Sequence, residues 1–252
     1  MGLLGSSGFV IYPHDPRVAE WSDKAAEVMR PIARDPAVQA VNLRHGNTWF
    51  VGVDALPNTP DGAVGDVPLM GAWRDAVPAL PLHRAQVSII YPGYPKQDVG
   101  ESDANHRYRL NRSAAHVDGL LPVGLQKRRF AMEYHAYILA ISLGKVAAAP
   151  TVVWEGSQTI MQRALREAIG DADPSQVDIT DAYQAARREV FDCCPKAPLN
   201  ITKGQAALLH PFLLHGTDPW DPEIADPDGY GRMVAFFRPD LGDGRAWLDI
   251  EL

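Results

Sequence analysis

SAAHVDGLLP (residues 113–122) places a histidine and an aspartate two positions apart, His116 and Asp118. In an extended chain, side chains at i and i+2 point to the same face. An imidazole and a carboxylate can therefore reach one point in space. Two such groups do not by themselves fix a redox metal, so this reading predicts a third donor elsewhere in the chain.

The remaining histidines are His14, His45, His83, His106, His135, His210 and His215. His14, His45 and His83 precede the strand-rich half and read as surface or core residues. His106 falls in a polar stretch, and His135 opens a strand. His210 and His215 lie in LLHPFLLHG (208–216), five apart, so one regular strand would turn them to opposite faces. His215 closes an apolar run just before Gly216 and is the preferred third ligand. His210 is the second choice, with a packing role as its alternative. Two histidines and one carboxylate on one face of an octahedron are the donor set of non-haem Fe(II) oxygenases.

Strand signals crowd the chain from residue 85 onward. AQVSIIYPG (85–93), YHAYILAISL (134–143), TVVWEGS (151–157), two pieces around Pro211 and RMVAFFRP (232–239) are rich in apolar and β-branched residues. Before them, PRVAEWSDKAAEVMRPIAR (16–34) has helical spacing of Val18, Trp21, Ala25, Val28, Met29 and Ile32, with Asp15 as cap. NTWFVGVDAL (47–56) alternates and predicts a strand. Residues 57–82 predict loop with a helical turn near Trp73, and residues 94–112 a long polar loop. Two amphipathic helices are expected at 159–171 and 179–194, the second capped by Thr180. The pattern predicts a mainly β fold with flanking α: a helical N-terminal part (about 1–84) and a β core (about 85–252) in one domain.

The 252 residues are 46% hydrophobic, enough for a sizeable core. The net charge of −7 argues against a nucleic-acid or anionic-membrane surface. No apolar stretch is long enough for a membrane span, and no signal peptide is visible. Met1-Gly2 with Ser6 loosely fits a myristoylation pattern but lacks basic support. Cys193 and Cys194 are neighbours, which predicts reduced thiols and a cytoplasmic location.

Two arginines of RMVAFFRP, Arg232 and Arg238, share parity. An arginine facing a barrel interior needs an anionic partner, and its fork suits a carboxylate. Arg107, Arg109, Arg112, Lys127, Arg128 and Arg129 flank the His116–Asp118 pair, which predicts attraction of an anionic substrate or co-substrate to its mouth.

With His-x-Asp, the WEGSQ turn (154–158), His215-Gly216 and an arginine opening an apolar strand, residues 85–239 resemble the phytanoyl-CoA dioxygenase family. The resemblance implies a double-stranded β-helix (jelly-roll, cupin-like) core. It implies Fe(II) held by His116, Asp118 and His215, and 2-oxoglutarate held through its far carboxylate by Arg232, with Arg238 as the alternative. The implied reaction is O2-dependent hydroxylation of a small molecule with release of succinate and CO2. Gly156 and Ser157 match the family's turn; Trp154, Glu155 and Gln158 depart from it. The gap from His215 to Arg232 is longer than the family's, and Val234 stands where relatives carry a hydroxyl. The presence of Asp118 disfavours halogenation. Two other readings of the same residues are a non-catalytic metal-containing binding protein and a cupin-like metalloenzyme that does not use 2-oxoglutarate. Oligomeric state is not legible.

Overall fold

The chain is described here from a computed structural model covering residues 4–252. It opens with β1 (Phe9–Tyr12), α1 (Pro16–Arg34), α2 (Pro36–Asn42), β2 (Leu43–Arg44) and β3 (Trp49–Phe50). The Asp15 carboxylate accepts the Arg17 N–H at 2.9 Å, and Pro16 costs no hydrogen bond in the first turn, so α1 starts where its sequence predicts. A turn of 3-10 helix at Ala72–Ala76 buries Trp73 and precedes β4 (Gln86–Ile90). Next come α3 (Asp103–Arg112), β5 (Leu120–Val123), β6 (Arg128–Ala131), β7 (Ile138–Ser142) and β8 (Thr151–Trp154). The chain closes with α4 (Ser157–Ile169), α5 (Thr180–Cys193), β9 (Lys196–Leu199), β10 (Ala206–Leu209), β11 (His215–Thr217), β12 (Arg232–Phe237) and α6 (Gly244–Leu248).

Two antiparallel sheets face each other. The larger has the order β1-β10-β7-β12-β4-β3-β2, and the smaller β11-β8-β9. The segment around His116 extends the smaller sheet by a bridge to His215 on the other side of β11. In chain order, β4, the His116 segment, β7, β8, β9, β10, β11 and β12 wind back and forth between the two sheets. That winding is the double-stranded β-helix that the family resemblance implied, with helices outside.

Strand alternation divides the core into layers. Ile138, Ala140, Val153, Leu199, Leu209, Leu213, Val234 and Phe236 fill the space between the sheets. On the outer face of the large sheet, Trp21 and Met29 of α1 pack on Val87, Ile89, Leu139, Met233 and Phe237. On the outer face of the small sheet, α4 and α5 bring Met161, Leu165, Tyr183 and Val190 against Val152, Trp154, Ala115 and Val117. Among the described residues, no helix is long and apolar enough to cross a membrane.

The structure departs from the sequence reading in several places. Residues 103–112 are helical, not loop: Ser102 caps α3, whose exposed polar surface gives no apolar stripe to read. The strand expected at 47–56 shrinks to Trp49–Phe50, because Gly52 turns at φ +57°. Thr180 is the first helical residue rather than the cap; its N–H and hydroxyl both bond Asp178. The N-terminal part is not only helical, since β1, β2 and β3 join the large sheet. The myristoylation pattern at Gly2 lies outside the described residues.

Candidate metal centre

The backbone around His116 is shaped by three local features. Ser113 and Ala114 both take left-handed φ (53° and 50°), which turns the chain out of α3 and towards β11. His116 and His215 then exchange hydrogen bonds, His116 N–H to His215 O at 2.8 Å and His215 N–H to His116 O at 3.0 Å. Gly216 makes this approach possible: a Cβ there would lie 2.2 Å from Ser113 O. After Asp118, Gly119 turns the chain at φ +79°, and a Cβ there would lie 2.3 Å from Glu133 O. Between the turns, Ala115 and Val117 enter the core under α4 and α5, so His116 and Asp118 face the barrel.

His116, Asp118 and His215 offer three ligand atoms within 4.8 Å of one another, the one such grouping among the described residues. His116 Nε2 lies 3.2 Å from Asp118 Oδ1, and His215 Nε2 lies 3.4 Å from Asp118 Oδ2. Each imidazole is held through its other nitrogen: His116 Nδ1 lies 3.0 Å from Ala114 O, and His215 Nδ1 2.9 Å from Leu213 O. A carbonyl only accepts, so Nδ1 carries the hydrogen in both rings. In the neutral rings Nε2 then carries a lone pair aimed at the carboxylate. Three electron-rich atoms facing one another call for a cation between them, and backbone-anchored Nδ1–H is the usual support of a metal-bound histidine. The donor set fits a divalent metal.

Burial pushes the Asp118 carboxyl up, but the charge of Arg238, whose Nε donates to Oδ2, outweighs it and holds it well below the usual carboxylate range. It is therefore ionised and competent as a ligand. The His116 side chain is 45% exposed and that of His215 only 5%, so the centre opens to solvent on the His116 side.

Arg232 and Arg238 sit at the two ends of β12, on its inner face with Val234 and Phe236. Arg238 is already paired, through Nε with Asp118 and through Nη1 with Gln86 Oε1 at 2.7 Å. Arg232 is different. It is buried, Nη2 donates to Thr151 Oγ1, and Nη1 has no partner among the described residues. Burial pushes its pKa down to about 10. Thr151 pairs with Thr217 while Val153 pairs with His215, so Thr151 lies two residues along the same inner face. That places the Arg232 hydroxyl partner about 7 Å along the strand from the His215 position. Thr151 is a contact the sequence reading missed. The alternation of Thr151 with Val153 beside His215 was the available signal, and Thr151 supplies the hydroxyl that Val234 does not.

The other sequence candidates are placed elsewhere. His210 is buried behind the turn before β11, accepts the Phe212 N–H on Nδ1 at 3.2 Å, and is no part of the triad. Tyr91 lies on the outer side of the large sheet with Arg34 and Tyr230. Tyr94 is buried, and burial raises its pKa against the neighbouring charges of Arg109 and Arg232. The basic run does not gather at the mouth. Arg128 pairs with Asp178 and Asp181, Arg129 lies over Tyr183, and Arg112 over Phe191. Arg109 alone turns inward, with Nη2 3.4 Å from Glu101 Oε1. There it joins a buried polar group that includes His45 and His106, whose Nδ1 atoms lie 3.7 and 3.8 Å from Glu101 Oε2.

No protein-family model and no curated protein sequence matches the chain. Among solved structures it is similar to SnoK from nogalamycin biosynthesis, a non-heme alpha-ketoglutarate-dependent carbocyclase. That match has 15% identity over 95% of this chain and 85% of that one, with a TM-score of 0.46. It is similar to AviO1 from Streptomyces viridochromogenes Tue57, at 12% identity, 93% and 90% coverage and a TM-score of 0.43. It is also similar to EctD from S. alaskensis solved with 2-oxoglutarate and 5-hydroxyectoine, at 15% identity, 92% and 71% coverage and a TM-score of 0.44. The strand order, rather than these likenesses, fixes the fold.

Proposed function

We propose that the chain is an Fe(II)- and 2-oxoglutarate-dependent oxygenase acting on a small molecule. The observation that carries this reading is Arg232. A buried guanidinium with no acidic partner and an unbonded Nη1 among the described residues is costly to fold. A carboxylate entering between the sheets would remove that cost, and its fork matches that ligand. The spacing from the His215 position to Thr151 suits a short dicarboxylate that touches the metal at one end and Arg232 at the other.

In this reading Nε2 of His116, Nε2 of His215 and the Asp118 carboxylate hold the iron. Arg232 and Thr151 hold the distal carboxylate of 2-oxoglutarate and so fix which end faces the metal. The apolar layer of Val153, Leu213, Val234 and Phe236 keeps water from the space between the sheets. Bound iron with 2-oxoglutarate and O2 supplies the oxidising power, one oxygen atom entering a substrate C–H bond and the other leaving in succinate, with release of CO2. The exposed side of His116 is the side from which substrate approaches.

The test is an anaerobic titration with Fe(II) followed by 2-oxoglutarate. A weak visible charge-transfer band is expected to form, and Arg232→Ala is expected to weaken 2-oxoglutarate binding without removing iron. Succinate release on admitting O2 completes it. An iron-loaded protein that gives neither band nor succinate sinks the reading.

A further inference from the structure

Asp118 is gripped from behind. Arg238 Nε donates to Asp118 Oδ2, and the two side chains are 14% and 12% exposed. The guanidinium is itself fixed. Its Nη1 donates to Gln86 Oε1 at 2.7 Å, and Gln86 Nε2 donates to Val51 O at 3.1 Å. The Arg238 backbone N–H donates to His83 Nε2 at 2.7 Å, whose Nδ1 lies 2.6 Å from Arg84 O. A chain of contacts thus runs from the backbone at Val51 through Gln86 and Arg238 to one oxygen of the carboxylate.

We infer that Arg238 is a positioning residue that makes Asp118 a one-oxygen ligand. This rests on the metal reading above. Asp118 Oδ2 lies 3.4 Å from His215 Nε2 but accepts the Arg238 Nε–H, whereas Oδ1, 3.2 Å from His116 Nε2, takes no hydrogen bond from Arg238 and is the oxygen left for the cation. The consequence lies in the count of positions. Two imidazoles and one carboxylate oxygen would occupy three of six sites on an octahedral ion. A two-atom chelating co-substrate would take two more and leave one for O2. A carboxylate that swung round to bind through both oxygens would close that last position. Arg238 holds it open by engaging the second oxygen. It also explains why the second arginine of RMVAFFRP is not the co-substrate arginine: its fork is already filled by Asp118 and Gln86.

The test uses Co(II) as probe on the full chain under argon, with Arg238→Gln, Arg238→Lys, Gln86→Met and Asp118→Ala. Co(II) affinity is read by titration of its visible bands. The Asp118 binding mode is read from the separation of its two carboxylate stretches in 13C-aspartate difference infrared spectra. In the unaltered protein the wide separation of a one-oxygen carboxylate is expected. In Arg238→Gln the separation narrows and Co(II) binds about 10- to 100-fold more weakly, the usual effect of losing a group that orients a ligand. Arg238→Lys restores charge without the fork and leaves the narrowed separation. Gln86→Met, which touches no ligand, shifts both readouts the same way by less, and it carries the test if Arg238→Gln does not fold. Asp118→Ala loses Co(II) binding and the infrared bands. If Arg238→Gln and Gln86→Met keep the affinity within twofold and leave the bands unmoved while Asp118→Ala loses the metal, this inference is overturned and the metal reading stands. If Asp118→Ala binds Co(II) like the parent, both fall.

Discussion

Replacing Arg232 with methionine is expected to stabilise the unliganded protein while removing its affinity for 2-oxoglutarate. The magnitude follows from burial. Burial pushes the pKa of Arg232 from the ordinary guanidinium range down to about 10. At about 1.4 kcal/mol for each tenfold change, the folded state carries about 3 kcal/mol of cost for keeping this charge. The sign is that of a base whose folded pKa is depressed. The cost is absent above the unfolded pKa, grows as pH falls through the folded value, and is complete at neutral pH. Methionine has similar reach and no charge, so Arg232→Met removes the cost. It also leaves Thr151 Oγ1 without its donor, a loss of about 1 kcal/mol. A net gain of about 2 kcal/mol is expected in urea unfolding at pH 7.5, as a higher midpoint at unchanged slope. In the parent protein, 2-oxoglutarate with Fe(II) should raise the midpoint further, because the ligand binds only the folded state. In Arg232→Met that increment should vanish. A variant less stable than the parent by 1 kcal/mol or more would refute the reasoning. So would a methionine variant whose midpoint still rises with 2-oxoglutarate, since Arg232 would then not be the carboxylate's partner.

Thr151→Val keeps the shape but strips Arg232 of its bonded partner; it is expected to cost about 1–2 kcal/mol and to weaken 2-oxoglutarate binding about tenfold by calorimetry. Gly216→Ala puts a Cβ where Ser113 O lies 2.2 Å away, so it should cost about 2 kcal/mol in urea unfolding and weaken Co(II) binding by moving His116 off His215. Burial pushes the His210 pKa down to about 4, so stability should fall by up to about 3 kcal/mol as pH drops from the unfolded value near 6.5 towards 4. His210→Asn retains an acceptor for the Phe212 N–H and should lose this component of the acid sensitivity, and an unchanged pH–stability curve would refute it.

The sequence was informative wherever a short-range period decided the outcome. Asp15, Pro16 and the helical spacing after them define α1 because capping and amphipathicity are local. The i, i+2 rule placed His116 and Asp118 on one face, and the same rule gave Arg232 and Arg238 a common face. His215 was preferred over His210 because it closes an apolar run just before Gly216, at a strand end. Legibility ended where the deciding partner was distant. Helix α3 has no apolar stripe, so its ten residues read as loop. The basic run from Arg107 to Arg129 looked like one electrostatic feature, yet Asp178, Asp181 and Tyr183 take up much of it one side chain at a time.

By itself, then, the sequence determined the donor types and their parity. These follow from backbone periodicity and side-chain chemistry, which act over a few residues. Only the tertiary structure decided which arginine is free. Both lie on the same face of β12. Arg238 meets Asp118, 120 residues away, and is neutralised. Arg232 meets Thr151, 81 residues away, and stays charged with one nitrogen unbonded. Pairing across a folded barrel depends on which strands the sheet order makes neighbours, and no local pattern encodes it.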